Sequence, residues 1–139
     1  MSYKIISKFI KDISFEIPNA RTFVMLEKEI TKYSLTFDIK SNQFKDNIIE
    51  VNTILKLTPN SEVKHKILTE INFASLISID DNLKDKKELE KIILVNIPTD
   101  IYPTLYDTFV YLFTQAGIKN LSIDKEVNFE KMYKEQFKS

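Results

Sequence analysis

Residues 63–82, VKHKILTEINFASLISIDDN, hold the point at which the chain changes period. Val63, Ile67, Ile71, Phe73, Ile77 and Ile79 fall on one side of a two-residue alternation, which predicts a strand with one buried face. Asp80-Asp81-Asn82 then supplies a break rich in helix-capping residues. The residues before this break read in period two, and those after it read in the helical period.

Upstream, the odd positions from Tyr3 to Ile17 include Tyr3, Ile5, Phe9, Ile13, Phe15 and Ile17, while Lys4, Lys8, Asp12, Ser14 and Glu16 occupy even ones. This predicts a first strand whose odd residues point inward, ended by Pro18-Asn19. Residues 20–31, ARTFVMLEKEIT, are ambiguous and are read as a crossing loop or short irregular arm. Tyr33, Leu35, Phe37 and Ile39 predict a second strand. Residues 48–58 predict a third, with Ile49, Val51, Leu55 and Leu57 inward, and the fourth begins at Val63.

Downstream, KDKKELEKIILVNI (84–97) fits a short helix with Lys and Glu at i, i+3 and i+4 spacings, and Pro98 is expected to interrupt it. Thr99 or Asp100 would cap a new helix from about Ile101 to Gln115. Leu105, Phe109, Leu112 and Phe113 fill one face of it, and Tyr102, Tyr106, Val110 and Tyr111 fill others. A helix apolar nearly all round is expected to be covered on more than one side, which favours oligomerisation. Gly117 is the expected C-cap. After a loop, Asn128 caps a short amphipathic helix with Phe129, Met132, Tyr133 and Phe137 as its stripe. Strands first and helices last predict an α+β fold, an antiparallel sheet with helices on one side.

Composition narrows the chemistry. One domain spanning 1–139 is expected from the length. There is no Cys, so a disulfide scaffold, a thiol nucleophile and thiolate metal sites are excluded. Gly117 is the one glycine, which removes the glycine-rich phosphate cradles and the nucleophile elbow. Twenty basic and twenty acidic residues cancel, and nineteen of the basic ones are Lys. A neutral, Arg-poor chain argues against nucleic acid as partner. His65 is the lone His and reads as a packed residue of the fourth strand. No catalytic constellation and no cofactor site emerge. No signal-peptide core or membrane-length apolar run is visible, so a cytoplasmic protein without direct membrane insertion is expected.

Two features stand out against a plain sheet-and-helix domain. Ile6 and Ile10 fall on the polar face of the first strand, and Leu68 sits between Lys66 and Glu70 on the polar face of the fourth. The isoleucines suggest subunit packing. The leucine beside a carboxylate suggests either an ordinary exposed side chain or a docking spot. Phe23, Met25 and Leu26 in the arm, with Phe129, Met132 and Tyr133 near the end, suggest either core or an apolar groove for varied guests.

These residues resemble those of a known family. KDISFEIPNA (11–20) looks like the opening strand motif of the protein-export chaperone SecB family. ILTEINFASLISI (67–79) is similar to that family's fourth strand, and IPTDIYP (97–103), TLYDTFVYLFTQAG (104–117) and VNF (127–129) come after it in the family's order and spacing. The resemblance covers nearly the whole chain, with 21–60 matching in pattern only. It implies a four-stranded antiparallel sheet followed by a long helix and a short C-terminal helix, oligomerising through a sheet edge and the long helix into a homotetramer, a dimer of dimers. It implies an ATP-independent holdase for unfolded precursor polypeptides, delivering them to the SecA translocase motor. By position, Asp12, Glu16, Leu68 and Glu70 would dock SecA. Phe23, Met25, Leu26, Phe129, Met132 and Tyr133 would line the client groove. Ile6, Ile10, Tyr106, Phe109, Val110 and Phe113 would form the oligomer interface.

The chain departs from the family in its neutral charge, in Ala74-Ser75 where members often carry a Gly pair, and in ending soon after the last helix. These departures leave open a SecB-like chaperone dedicated to one partner, such as an antitoxin. A small α+β enzyme and a purely structural oligomer are the readings from other classes.

Overall fold

The computed structural model describes residues 2–83, 85–119 and 121–136. Phe137, the last member of the expected C-terminal stripe, lies outside them, as does Lys84 of the expected lysine-rich helix. Four strands, β1 (Tyr3–Glu16), β2 (Tyr33–Lys45), β3 (Ile48–Pro59) and β4 (Leu68–Ile79), form one antiparallel sheet in the order β1-β4-β3-β2. The α+β class and the four-stranded antiparallel sheet are as expected; the order of the strands across it is a finding of the structure.

Because β1 and β2 are opposite edges, the segment between them crosses the whole sheet. It does so as a helix, α1 (Ala20–Glu29), followed by a 3-10 turn, and not as the irregular arm expected. The Asn19 carboxamide oxygen accepts the Thr22 N–H at 2.9 Å and caps the helix. Thr22, Leu26 and Glu29, at i, i+4 and i+7, make its buried stripe.

β4 begins at Leu68 and not at Val63. Val63 and Ile67 are buried, yet they belong to a loop that folds against β2, where the Tyr33 hydroxyl accepts the Ile67 N–H at 3.1 Å. His65 lies in that loop, half-buried, and is not a core residue of the strand.

The expected break at Pro98 is also absent. α2 (Lys86–Lys91) runs through a π-helical turn, Ile92–Asn96, directly into α3 (Ile97–Gln115). A proline ring collides with the carbonyl four residues back and offers that carbonyl no N–H. A turn widened by one residue just ahead of Pro98 accommodates both effects and keeps the helix continuous. α3 ends as expected: Gly117 has φ +89°, and the Ile118 N–H donates to the Phe113 carbonyl at 3.0 Å. α4 (Phe129–Gln136) is the short C-terminal helix, with the Asn128 carboxamide accepting the Lys131 N–H at 2.9 Å.

The core lies between α3 and one face of the sheet. Ile97, Ile101, Leu105, Phe109 and Phe113 meet Val51, Leu55, Leu57, Ile71, Phe73 and Ile77, all nearly inaccessible. A second cluster gathers Val95, Tyr102 and Phe129 against Phe37 and Ile39 of β2.

β1 does not keep one alternation. Ile5 pairs with Ile77, but Ser7 pairs with Leu76, so Ile6 is an extra residue; Ile10 pairs with Phe73, but Asp12 pairs with Asn72, so Lys11 is another. Each bulge shifts the strand by one residue and exchanges its faces. Residues 7–10 are therefore inverted between two normal segments. Phe9, expected inward, stands opposite Ala74 on the outer face, and Lys8 turns to the helix side, where it pairs with Asp100 of α3 at 3.1 Å. Ile6 and Ile10 do not share a face as expected: Ile6 sits in a bulge, and Ile10 lies on the helix side opposite Phe73.

Candidate binding surfaces

The outer face of the sheet carries no helix. Asp12, Glu16, Leu68 and Glu70 all lie on it and are brought together: Glu16 is directly opposite Leu68, Ser14 opposite Glu70, and Asp12 opposite Asn72. Leu68 is 58% exposed. The face mixes charge. The Lys11 ammonium holds Glu50 at 2.5 Å, and this hydrogen bond, with one from Asn52, keeps the Glu50 carboxyl below its ordinary pKa. Lys56 pairs with Glu70 at 3.6 Å and Lys40 with Asp38 at 3.6 Å. Asp12 and Glu16 have no cation within 4 Å among the described residues.

On the helix side, five of the expected groove residues separate into two concavities, and Met25 lines neither. Phe23, Val24, Leu26, Glu27 and Ile30 of α1 and its following turn face Gly117, Ile118 and Lys119 across a cavity of about 530 Å³. Phe129, Met132 and Tyr133 of α4 face Phe37, Asp38 and Ile39 across a smaller one of about 130 Å³. Between them runs the segment after α3. Ile118, Leu121 and Ile123 pack on the main core, Val127 packs on the second cluster, and residues 121–124 cover a third hollow over Tyr33, Leu35 and Leu57. One continuous groove is thus not formed. Phe23 and Met132 are about 40% exposed and accessible, Met25 and Tyr133 are half-buried, and Leu26 and Phe129 are closed off at 2%.

Two tyrosines hold this side together. The Tyr102 hydroxyl donates to the Asp124 carbonyl, fastening the covering segment to α3. Burial first, then the charge of Asp124 and the neighbouring Tyr106, push the Tyr102 pKa up to about 12. The Tyr133 hydroxyl donates to the Glu90 carboxylate at 2.8 Å, which raises its pKa and ties α4 to α2.

Of the expected oligomer residues, Phe109 and Phe113 have no surface to offer a partner: they are 0% and 1% exposed, filling the protomer's own core. Tyr106 and Val110 are half-buried. Tyr111, read above on another face of the long helix, and Ile13, expected inward on β1, are both exposed. Among the described residues no group of three or more His, Cys, Asp or Glu is placed to hold a metal ion, and no helix is long and apolar enough to cross a membrane.

The family model for preprotein translocase subunit SecB matches residues 1–139. The chain belongs to the SecB family. It is 42% identical over 135 residues to the putative protein-export protein SecB of Pelagibacter ubique, covering 97% of this chain and 96% of that one. It is 26% identical over 130 residues to the protein-export protein SecB of Burkholderia lata, covering 92% of this chain and 78% of that one. The SecB fold extends to more distant chains. The SecB-like chaperone Rv1957 of Mycobacterium tuberculosis, solved with a peptide from the HigA1 antitoxin, superposes with a TM-score of 0.56 at 10% identity, covering 88% of each chain. Membership of the SecB family makes this a chaperone of protein export, and the family is not an enzyme class.

Proposed function

We propose that the chain is an ATP-independent holdase, working as a homotetramer, that binds unfolded precursors on its helix side and passes them to the SecA motor from its outer face. The observation that carries client binding is the 530 Å³ concavity with Phe23 and Val24 left exposed at its rim. Apolar burial contributes about 25 cal/mol per Å² without regard to direction, so such a surface accepts many sequences. Each contact is weak, and several concavities on one assembly hold a long chain by avidity. Leu26 lines the larger concavity beside the exposed Phe23, and Phe129 lines the smaller one beside the exposed Met132 and half-buried Tyr133. Asp12 and Glu16, which have no ion-pair partner among the described residues, lie beside exposed Leu68 with Glu70 next to them, and this supports SecA docking.

The test is the refolding rate of a slow-folding precursor with stoichiometric protein and no nucleotide. Retardation is expected, and a Phe23→Ser/Met132→Ser pair should weaken it about tenfold at unchanged thermal stability. Refolding at its free rate would overturn the general holdase reading. The same assay on a single antitoxin client would then decide for the dedicated chaperone, a reading suggested by the antitoxin peptide held in the Mycobacterium structure.

A further inference from the structure

Two bulges five residues apart re-aim one short piece of β1. Without them, the alternation that puts Ile5 and Phe15 on the helix side would put Phe9 there too. With them, Phe9 stands on the outer face, 43% exposed, opposite Ala74 and beside Leu76. An exposed aromatic on an edge strand invites unwanted pairing, and bulges are a recognised device for aiming a side chain at a site. The rest of the β1–β4 margin continues from it: Asp12 opposite Asn72, Glu70 opposite Ser14, then Glu16 opposite Leu68. Ala74 and Leu68 are six residues apart on β4, about 20 Å in a strand. The margin therefore reads apolar, acidic, apolar. Among the described residues its unmatched charge is that of Asp12 and Glu16, because Glu50, Glu70 and Asp38 already have lysines.

We propose that Phe9 is an aromatic specificity element of the outer face, and that this margin takes an extended polypeptide segment with two apolar side chains six positions apart and basic residues between them. Positions i, i+2, i+4 and i+6 of an extended chain share one side. The end residues meet Phe9 and Leu68, and the middle ones meet Asp12, Glu70 and Glu16. The inference deepens the docking reading above and rests on it: the acids attract, and Phe9 sets which basic segments are kept.

The probe is a fluorescently labelled peptide, Leu-Ser-Lys-Thr-Lys-Ser-Leu, followed by anisotropy at low salt against the full chain. A second peptide has both leucines replaced by serine. The wild-type protein should bind the leucine peptide about tenfold more tightly than the serine peptide, and Phe9→Ser should erase that preference while Phe9→Leu keeps it. Asp12→Lys/Glu16→Lys should abolish binding of both peptides. Equal binding of the two peptides to wild type overturns the Phe9 proposal whether or not any variant folds. Loss with the acidic variant and none with Phe9→Ser leaves docking intact and removes Phe9 from it. No effect from either removes both. Loss with Phe23→Ser/Met132→Ser places the peptide in the helix-side concavity and overturns the proposal. A changed oligomeric mass for Phe9→Ser assigns the ring to contact between copies, which also overturns it.

Discussion

Phe109 stacks on Phe113 with ring centroids 4.6 Å apart, and Phe15 of β1 meets Phe113 edge-on at 5.1 Å. Truncating such a ring removes its transfer energy and leaves a cavity. Phe109→Ala should cost about 3–5 kcal/mol, read as a lowered urea midpoint at unchanged m-value. The same burial explains why interface membership could not be read from an apolar residue type: Phe109 and Phe113 were expected at an interface, and packing against the sheet takes both inside, while Tyr111 on another face is left to solvent. Tyr102 gives a pH signature. Its folded pKa, about 12, lies above the ordinary 10.0, so the neutral form is favoured by the fold. Its contribution is complete below pH 10 and is lost as the pH rises toward 12. Tyr102→Phe should lose a hydrogen bond of about 1 kcal/mol at neutral pH and flatten the decline in urea midpoint across that alkaline window. Gly117, at φ +89° with the Phe23 ring 3.4 Å from where a Cβ would stand, was legible as a helix end. Its contact with α1 was not, because nothing local joins residues 23 and 117.

Element by element, the strands were legible wherever one face was apolar, and β3 was read to within a residue of its end. α1 was missed because Thr22, Phe23 and Val24 carry weak helix propensity, and its support is the Asn19 cap and a stripe that needs the sheet beneath it. The join of α2 to α3 was missed because a proline alone predicts a stop, and the π turn that accommodates Pro98 within a continuous helix has no signature in residue type. α4 has only eight residues, too few to hold together without tertiary contacts. Its Asn128 cap was legible and carries a prediction. Asn128→Ala should cost about 1 kcal/mol. Because Tyr133 and Phe129 anchor this helix to α2 and to Phe37, the loss should appear as faster hydrogen exchange confined to residues 129–136, with the core of β3 and β4 unchanged.

At the scale of the molecule, β1 is an edge strand of fourteen residues, and Ile10, Ile13 and Tyr111 remain exposed on its helix side and on α3. Edges of this length are normally covered. A mass near four chains of 16.3 kDa is expected by light scattering, and Ile13→Lys/Tyr111→Lys should shift it to a smaller species without lowering helix content. A tetramer that survives both changes would move the interface elsewhere. The sequence by itself determined the class, the number of strands and their places along the chain, the long helix and its glycine stop, the cap of the last helix, and the family. All but the family come from residue type at short spacing, where periodicity, capping and turn chemistry act; the family comes from the resemblance of whole motifs. Only the tertiary structure decided which way Phe9 points, that Phe109 and Phe113 are core, and that the helix-side surface is divided by Ile118 and residues 121–127. These depend on strand register and on contacts between residues far apart in the chain. A register is chosen by the partner strand, so one inserted residue inverts every side chain after it without altering the composition that announced the strand.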